Sequence, residues 1–220
     1  MTPRAMIVLS LVAGTLMGWI AFDLRAPKRT VAFSYEPPTG HTGAPGEGVC
    51  STCHTGGGSF DGSLTIDAPD EYQPGMGYTV TVTLQDPGQS RWGFELVPLR
   101  RDGADLVMAG SLTNLSPHTL IQEIFDGKQY ISHTSNVLDQ GEPDGTYAGT
   151  ADGPVSWSFT WTAPPAGSDT VWFYAAGNAA NNNEQNGAGD FVYTTNRFAI
   201  ESSTSDVSRT TWGKIKMRYR

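Results

Sequence analysis

The chain is poor in cysteine, in charged residues and in helical patterning. Only two of its 220 residues are cysteine, which excludes a framework of several disulfides. Charged residues make up 16% of the chain, whereas glycine and proline number 26 and 14, a composition typical of short strands joined by turns. A hydrophobic fraction of 38% is enough for one core in a single domain with appendages. The formal net charge of −8 argues against nucleic acid as a partner, because such a surface repels a phosphate backbone.

One long apolar run stands at the N-terminus. Residues 5–22 (AMIVLSLVAGTLMGWIAF) carry no charge and follow Arg4. The run predicts export, either as a cleaved signal peptide or as a retained anchor, because its length lies between the two and no small-x-small cleavage site follows. We therefore expect residues 1–22 to be a signal or anchor and residues 23–37 to be a linker. The folded part is expected outside the cytoplasm, in the periplasm or at the cell surface.

Alternation of apolar and polar residues predicts strands in the rest of the chain. Residues 78–84 and 155–161 alternate strictly, which places the apolar set of each strand on one face. Further strands are predicted at residues 63–66, 92–99, 106–112, 119–124, 171–175 and 191–200. With a hairpin turn at Asp102-Gly103, this pattern predicts an all-β, immunoglobulin-like antiparallel sandwich over residues 61–200, with a closed barrel as the alternative.

The polar stretch of residues 177–190 (GNAANNNEQNGAGD) is expected to form a loop at one end of the sandwich. Asp190 and asparagine oxygens in this loop would be acceptable ligands for a calcium ion.

Both cysteines lie in the glycine-rich stretch GEGVCSTCHTGGG, residues 46–58. Cys50, Cys53 and His54 form the pattern in which two thiols add to the vinyl groups of haem and the adjacent imidazole binds the iron. Export is compatible with this chemistry, so the pattern predicts one covalent haem c on a loop of residues 38–60. Two alternatives remain open: an oxidised Cys50–Cys53 pair, although no helix is predicted to follow the first thiol, and a zinc site with a fourth ligand from elsewhere.

Haem iron in an electron carrier usually takes a second axial ligand. Five other side chains are candidates for this distal position: His41, His118, His133, Met76 and Met108. Without such a ligand the iron would be five-coordinate, and small-ligand chemistry would become possible.

Several motifs in a fixed order resemble a known family. They are TGHTGAPGEGVCSTCHTGG, YQPGMGYTVTVTL, WGFEL, YISHTS, SWSFTWTAP and FYAAGNAANNNEQNGAGDFVYT. Together, over roughly residues 38–200, they resemble the bacterial Reelin-like (reeler-type) domain family called choice-of-anchor V. The resemblance implies an exported immunoglobulin-like sandwich and a covalent haem on Cys50 and Cys53 with His54 as proximal ligand. The YISHT match makes His133 the preferred distal ligand, but the resemblance supplies no activity.

Residues 201–220 differ from the C-terminal anchor that members of this family typically carry. A polar linker precedes TTWGKIKMRYR, in which basic residues alternate with apolar and aromatic ones. This pattern predicts a basic amphipathic tail that docks on an anionic lipid surface or an acidic partner. Residues 5–22 and this tail are therefore two expected points of membrane association.

We expect an exported monohaem c-type cytochrome-like electron carrier, whose partner is a redox protein or a membrane redox complex. The alternative is a non-haem extracellular adhesion or binding module of Reelin-like fold with a CxxC staple, and a haem enzyme or gas sensor is a third class. A hydrolase is disfavoured and no enzyme is expected, because the carboxylates are scattered in turns and no serine lies in a recognisable nucleophile setting.

Overall fold

The structure is a computed structural model that describes residues 33–54, 56, 61–135 and 144–202. The predicted signal or anchor, most of the linker and the basic tail lie outside the described residues. Within the described ranges, no helix is long and apolar enough to cross a membrane.

The described chain is built almost entirely from strands. The strands are β1 Ser63–Asp67, β2 Glu71–Tyr72, β3 Gly77–Gln85, β4 Arg91–Asp102, β5 Asp105–Met108, β6 Ser111–Asn114, β7 Thr119–Glu123, β8 Gln129–His133, β9 Val155–Thr162, β10 Thr170–Ala180 and β11 Phe191–Glu201. A four-stranded sheet has the order β1-β3-β9-β6, and a seven-stranded sheet has the order β2-β11-β10-β4-β8-β7, with β5 paired to β4. All named pairs are antiparallel except β2 with β11. The predicted all-β antiparallel sandwich is therefore confirmed.

The core lies between the two sheets. In β3 and β9 the alternating apolar residues all point inward, and in β4 and β10 the inward residues face them. Fully buried members of this set are Val80, Val82, Leu84, Phe94, Leu96, Trp157, Phe159, Trp161 and Phe173. Apolar burial on this scale is the main stabilising contribution to a sandwich of this size.

The core tryptophans satisfy their polar atoms inside the fold. The indole N–H groups of Trp92, Trp157 and Trp161 donate to backbone carbonyl oxygens at 2.9, 2.8 and 2.8 Å. Their rings also pack against other aromatic rings, as in the stacked Phe94–Trp157 pair with centroids 4.5 Å apart. The interior therefore combines large apolar area with complete hydrogen bonding of the tryptophans.

The structure differs from the predicted elements in four places. The predicted loop of residues 177–190 is too long, because β10 continues to Ala180. The single strand predicted at residues 106–112 is wrong, because the chain breaks at Gly110 into β5 and β6, which belong to different sheets. Gly110 has a positive φ of 81°, and a Cβ there would collide with the carbonyl oxygen of Thr162, so the break requires glycine. Strand β8 was not predicted, nor was the two-residue β2. The hairpin turn at Asp102-Gly103 is confirmed by the pairing of β4 with β5.

The segment of residues 33–54, here called the strap, lies on the outer face of the seven-stranded sheet. Ala44 packs with the outward side chains of Val97 and Leu99 and with Tyr130. The hydroxyl of Tyr130 donates to Glu47 Oε1 at 2.7 Å. The strap therefore buries part of a sheet face that would otherwise meet solvent, and its contacts form a second, smaller cluster separate from the core.

Candidate functional site

The two cysteines lie at the end of the strap in one short turn. Cys50–Thr52 forms a 3-10 turn, in which the carbonyl oxygen of Cys50 accepts the N–H groups of Cys53 at 3.1 Å and His54 at 2.9 Å. Both cysteines are partly exposed as residues, and their thiols are not joined. The turn packs on β10, so the CxxC pair lies against the sheet and not in a loop that projects into solvent.

The residues that follow the turn are tied to the beginning of β11. His54 Nδ1 lies 2.7 Å from Asp190 Oδ2, a geometry in which the ring N–H donates to the carboxylate. Asn186 Nδ2 donates to the carbonyl oxygen of Cys53 at 3.0 Å. These contacts join residues more than one hundred positions apart in the sequence and fix the orientation of the turn.

A buried carboxyl group lies beneath the strap. Glu95, in the centre of β4, is 2% exposed, and its Oε2 accepts the backbone N–H of His41 at 2.6 Å. Its Oε1 has no hydrogen-bond partner among the described residues, and the same holds for Oγ of Ser132, the cross-strand neighbour of Glu95. Burial raises the pKa of Glu95 to about 8, and the negative charge of Glu47 acts in the same direction.

The Cys50 thiol is also desolvated. Burial is the main cause that raises its pKa to about 12, and the charge of Glu95 is the second. The Cys50 thiol is therefore protonated at neutral pH.

His133, the preferred distal ligand, is buried at the end of β8 and is hydrogen-bonded there. Its Nδ1 accepts the backbone N–H of Phe94 at 3.0 Å. A Cβ at Gly93 would lie 2.7–3.2 Å from three atoms of the ring, so the imidazole packs directly on the β4 backbone. Desolvation lowers the pKa of His133, which favours the neutral ring.

The other four candidates for the distal position are dispersed. His41 Nδ1 lies 3.0 Å from the carbonyl oxygen of Pro38 within the strap, and His118 Nδ1 lies 2.9 Å from Oγ of the nearby Ser116. The two methionines lie elsewhere: Met76 in the exposed turn before β3, and Met108 in β5, where its sulfur accepts the N–H of Gln129.

Glu95 was missed as a site residue, and Asp190 was considered only as a calcium ligand. The signal for Glu95 is local, since it is the one carboxylate within the otherwise apolar run WGFELVPL, and an ionisable residue within a buried strand is often functional. Nothing local marks Asp190 as the partner of His54.

Part of the outer sheet face lies beyond the strap and exposes large apolar side chains. This surface, here called the aromatic face, consists of Trp172, Tyr174, Phe198 and Ile200. The rings of Trp172 and Tyr174 are nearly parallel with centroids 6.3 Å apart, and Phe198 lies 5.2 Å from Trp172 on the neighbouring strand. Phe198 is 50% exposed and Ile200 is 42% exposed, whereas the two rings on β10 are half-buried.

No protein-family model and no curated protein sequence matches the chain. Among solved structures, the chain is similar to the human F-spondin reeler domain, with 20% identity, a TM-score of 0.39, and coverage of 66% of this chain and 91% of that one. It is also similar to a cohesin module from a Clostridium perfringens family 33 glycoside hydrolase, with 14% identity, a TM-score of 0.40, and coverage of 66% and 98%. A type I cohesin–dockerin complex from Clostridium thermocellum gives 14% identity, a TM-score of 0.35, and coverage of 64% and 99%.

The prediction of a covalent haem c is wrong, and with it the interpretations as a c-type cytochrome and as a metal-binding protein. Across the described ranges, no three His, Cys, Asp or Glu side chains gather in a way that could hold a metal ion.

Proposed function

We propose that the chain is an exported protein-binding module of β-sandwich fold that binds its partner through the aromatic face. The Cys50–Cys53 pair serves as a covalent staple in the strap beside that face. The uncharged run of residues 5–22 supports a location outside the cytoplasm, in the periplasm or at the cell surface. No enzymatic reaction is part of this function.

The aromatic face is the observation that carries the proposal. Contiguous apolar patches on soluble proteins mark interaction sites, because exposing them to water is unfavourable. Tryptophan and tyrosine are also enriched among the residues that dominate the binding energy of protein interfaces. The other large exposed apolar side chains of the described chain lie in turns or at the start of the strap, where single exposed residues are ordinary; they are Phe33, Tyr35, Met76, Leu115 and Phe125.

A charged group borders the aromatic face. The positive charge of Arg101 acts on the Tyr174 hydroxyl, opposing the burial that raises the pKa of that group. An apolar centre with a charged border is the usual organisation of a protein–protein interface.

The staple follows from the position of the cysteines in a single turn. An exported protein reaches an oxidising compartment, in which two thiols separated by two residues can be joined. Oxidation would then restrain the turn that presents His54 to Asp190, and thus the end of the strap. A mass lower by two hydrogen atoms in the non-reduced protein would show that the pair has formed.

Site-specific photo-cross-linking tests the binding function. A photo-reactive amino acid replaces Phe198 in one variant and Met76 in the control, because the two side chains are similarly exposed, at 50% and 53%, on different parts of the molecule. In the cells that make the protein, we expect a protein adduct from position 198, identified by mass spectrometry, and none from position 76. Adding Trp172→Ala should remove the adduct. Equal labelling from both positions, or labelling from neither, would contradict the proposal.

A further inference from the structure

The strap covers apolar side chains of β4 that lie directly beside the aromatic face. Val97 lies opposite Tyr174 of that face, and Leu99 lies opposite Trp172, so each pair shares the outer side of the sheet. Val97 and Leu99 are buried, and Ala44 of the strap packs with them. Lifting the strap would therefore widen the aromatic face by one strand.

We propose that the strap is a proton-controlled cover of the partner-binding surface: it lifts when Glu95 beneath it ionises, and the uncovered side chains of β4 then join the aromatic face. This inference rests on the proposed function, because it concerns the regulation of the same surface. A partner that binds only the wider surface has its apparent affinity reduced by the fraction of molecules in which the strap is closed.

The middle of the strap can move as a unit, because it is bonded to itself. The N–H of Gly43 donates to the carbonyl oxygen of Gly48 at 2.8 Å. The two ends of the strap are held by other bonds. The Ser34 carbonyl oxygen accepts the N–H of Ser135, and His54 is bonded to the start of β11. The middle can therefore lift while both ends stay attached.

The middle of the strap is fastened to the sheet through carboxyl groups. Glu95 Oε2 on β4 accepts the backbone N–H of His41 at 2.6 Å. From β8, the Tyr130 hydroxyl donates to Oε1 of Glu47 in the strap at 2.7 Å. The charge on these carboxyl groups therefore bears directly on whether the strap stays attached.

Glu95 favours an open strap once it is charged. The side chain is 2% exposed, and its Oε1 has no hydrogen-bond partner among the described residues, so a negative charge there is poorly stabilised. Opening would admit water to the carboxylate and separate it from the charge of Glu47. Burial raises the pKa of Glu95 to about 8, which supports a change of charge close to neutral pH.

Ionisable groups face Glu95 from the strap, the turn and β8, whereas β10 contributes the apolar Ala176 opposite it. Burial raises the pKa of the Cys50 thiol and of the Tyr130 phenol, so both groups are neutral near pH 7. In the strap, the His41 ring bonds a backbone carbonyl oxygen at 3.0 Å. The ionisable groups facing Glu95 are Glu47, His41, Cys50 and Tyr130.

Fluorescence of anilinonaphthalene sulfonate, a dye that binds exposed apolar surface, tests the opening in the purified exported protein. We expect the dye fluorescence of the wild type to rise about threefold or more between about pH 6 and about pH 8, and then to level off. Glu95→Gln should abolish the rise, because glutamine can still accept the His41 N–H but carries no charge.

Photo-cross-linking from position 198, in cells held at the same two pH values, tests the consequence for binding. The yield of partner adduct should be about threefold or more higher at about pH 8 than at about pH 6. Glu95→Gln should give the same yield at both pH values.

Matched variants separate the charge of Glu95 from other causes. Tyr130→Phe removes the hydroxyl that holds the strap and should raise the dye fluorescence at about pH 6 while keeping its rise with pH. Glu36→Gln removes a strap carboxylate that bonds a side chain of β7, and His41→Gln removes the ring but keeps the N–H; both should retain the rise. If Glu95→Gln does not fold, the profiles of the wild type and Tyr130→Phe still decide the matter.

Dye fluorescence that is constant with pH in the wild type, or that rises equally in Glu95→Gln, would overturn the inference. Equal adduct yields from position 198 at both pH values would also overturn it and leave the proposed function standing. No adduct at either pH value would contradict the proposed function itself, and with it the regulation inferred from it.

Discussion

The interior of the sandwich and the interface beneath the strap are both buried, but they differ in whether their buried polar side-chain atoms have hydrogen-bond partners. In the interior, the indole N–H groups of the three core tryptophans all reach carbonyl oxygens. Beneath and beside the strap, several buried side-chain atoms have no partner among the described residues. They are Glu95 Oε1, Ser132 Oγ, Asn178 Oδ1 and Asp190 Oδ1.

This difference indicates that the interior serves stability and that the strap interface serves function. An interior whose tryptophans are all hydrogen-bonded favours stability, because an unpaired buried polar group costs free energy. The strap interface tolerates such groups, as functional regions commonly do at some cost in stability. We therefore expect the interior to determine whether the chain folds, and the strap interface to respond to pH, oxidation and substitution.

The largest loss of stability should come from a substitution in the interior. Trp161→Ala removes a fully buried ring and its hydrogen bond to the Ala109 carbonyl oxygen, and should lower the free energy of unfolding by about 3–5 kcal/mol. Trp172→Ala deletes the same side chain from the aromatic face and should cost about 1 kcal/mol or less. Urea denaturation of both variants measures the difference. Equal losses would show that the aromatic face belongs to the core.

The next effect should be a pH dependence of the strap. The pKa of Glu95 rises from its ordinary 4.5 to about 8 on folding, so the folded state holds the proton more tightly. The stabilising contribution is complete below the ordinary pKa and is lost as pH rises through 8. The free energy of strap opening should therefore fall by roughly 3 kcal/mol between about pH 5 and pH 7.5.

Limited proteolysis within the strap, measured across this pH range, reports strap opening. Glu95→Gln should flatten the dependence while Glu36→Gln preserves it. The cleavage rates are corrected for the pH profile of the protease itself. A corrected rate for the wild-type strap that does not change with pH would contradict the role assigned to Glu95.

A smaller loss of strap stability should follow removal of the hydrogen bond between His54 and Asp190, which joins the turn to the start of β11. Asp190→Ala removes the acceptor of the His54 N–H, and should destabilise the closed strap by about 1–2 kcal/mol. Asp190→Asn keeps an oxygen that can accept this hydrogen bond and should cost less. Alkylation of Cys53, followed by mass spectrometry, should be faster in the alanine variant. Unchanged alkylation would show that His54 does not hold the turn.

Much of the fold could be predicted from the sequence, because β3 and β9 each have one buried and one exposed face and therefore alternate visibly. Strand β8 could not be predicted in this way, since four of its five residues, from Tyr130 to His133, are buried and no alternation remains. The break at Gly110 depends on a close approach of the Thr162 carbonyl, which comes from another part of the chain.

The candidate site could be predicted only in part. The sequence identifies Cys50, Cys53 and His54 as a unit, but the same spacing suits haem attachment, a redox pair or a staple. What distinguishes these is the surroundings in the folded chain, such as Asp190 against the imidazole of His54. Such partners are specified by tertiary structure, so local spacing alone led to the wrong cofactor.

Native-state hydrogen exchange, followed residue by residue, tests the division between interior and strap most directly. We expect the amides of Gly43 and Gly48, which are hydrogen-bonded within the strap, to exchange through local opening of low free energy, lower at pH 8 than at about pH 6. The amides of β3 and β9 should exchange only through global unfolding. Equal opening free energies in the two regions, with the same pH dependence, would contradict the division.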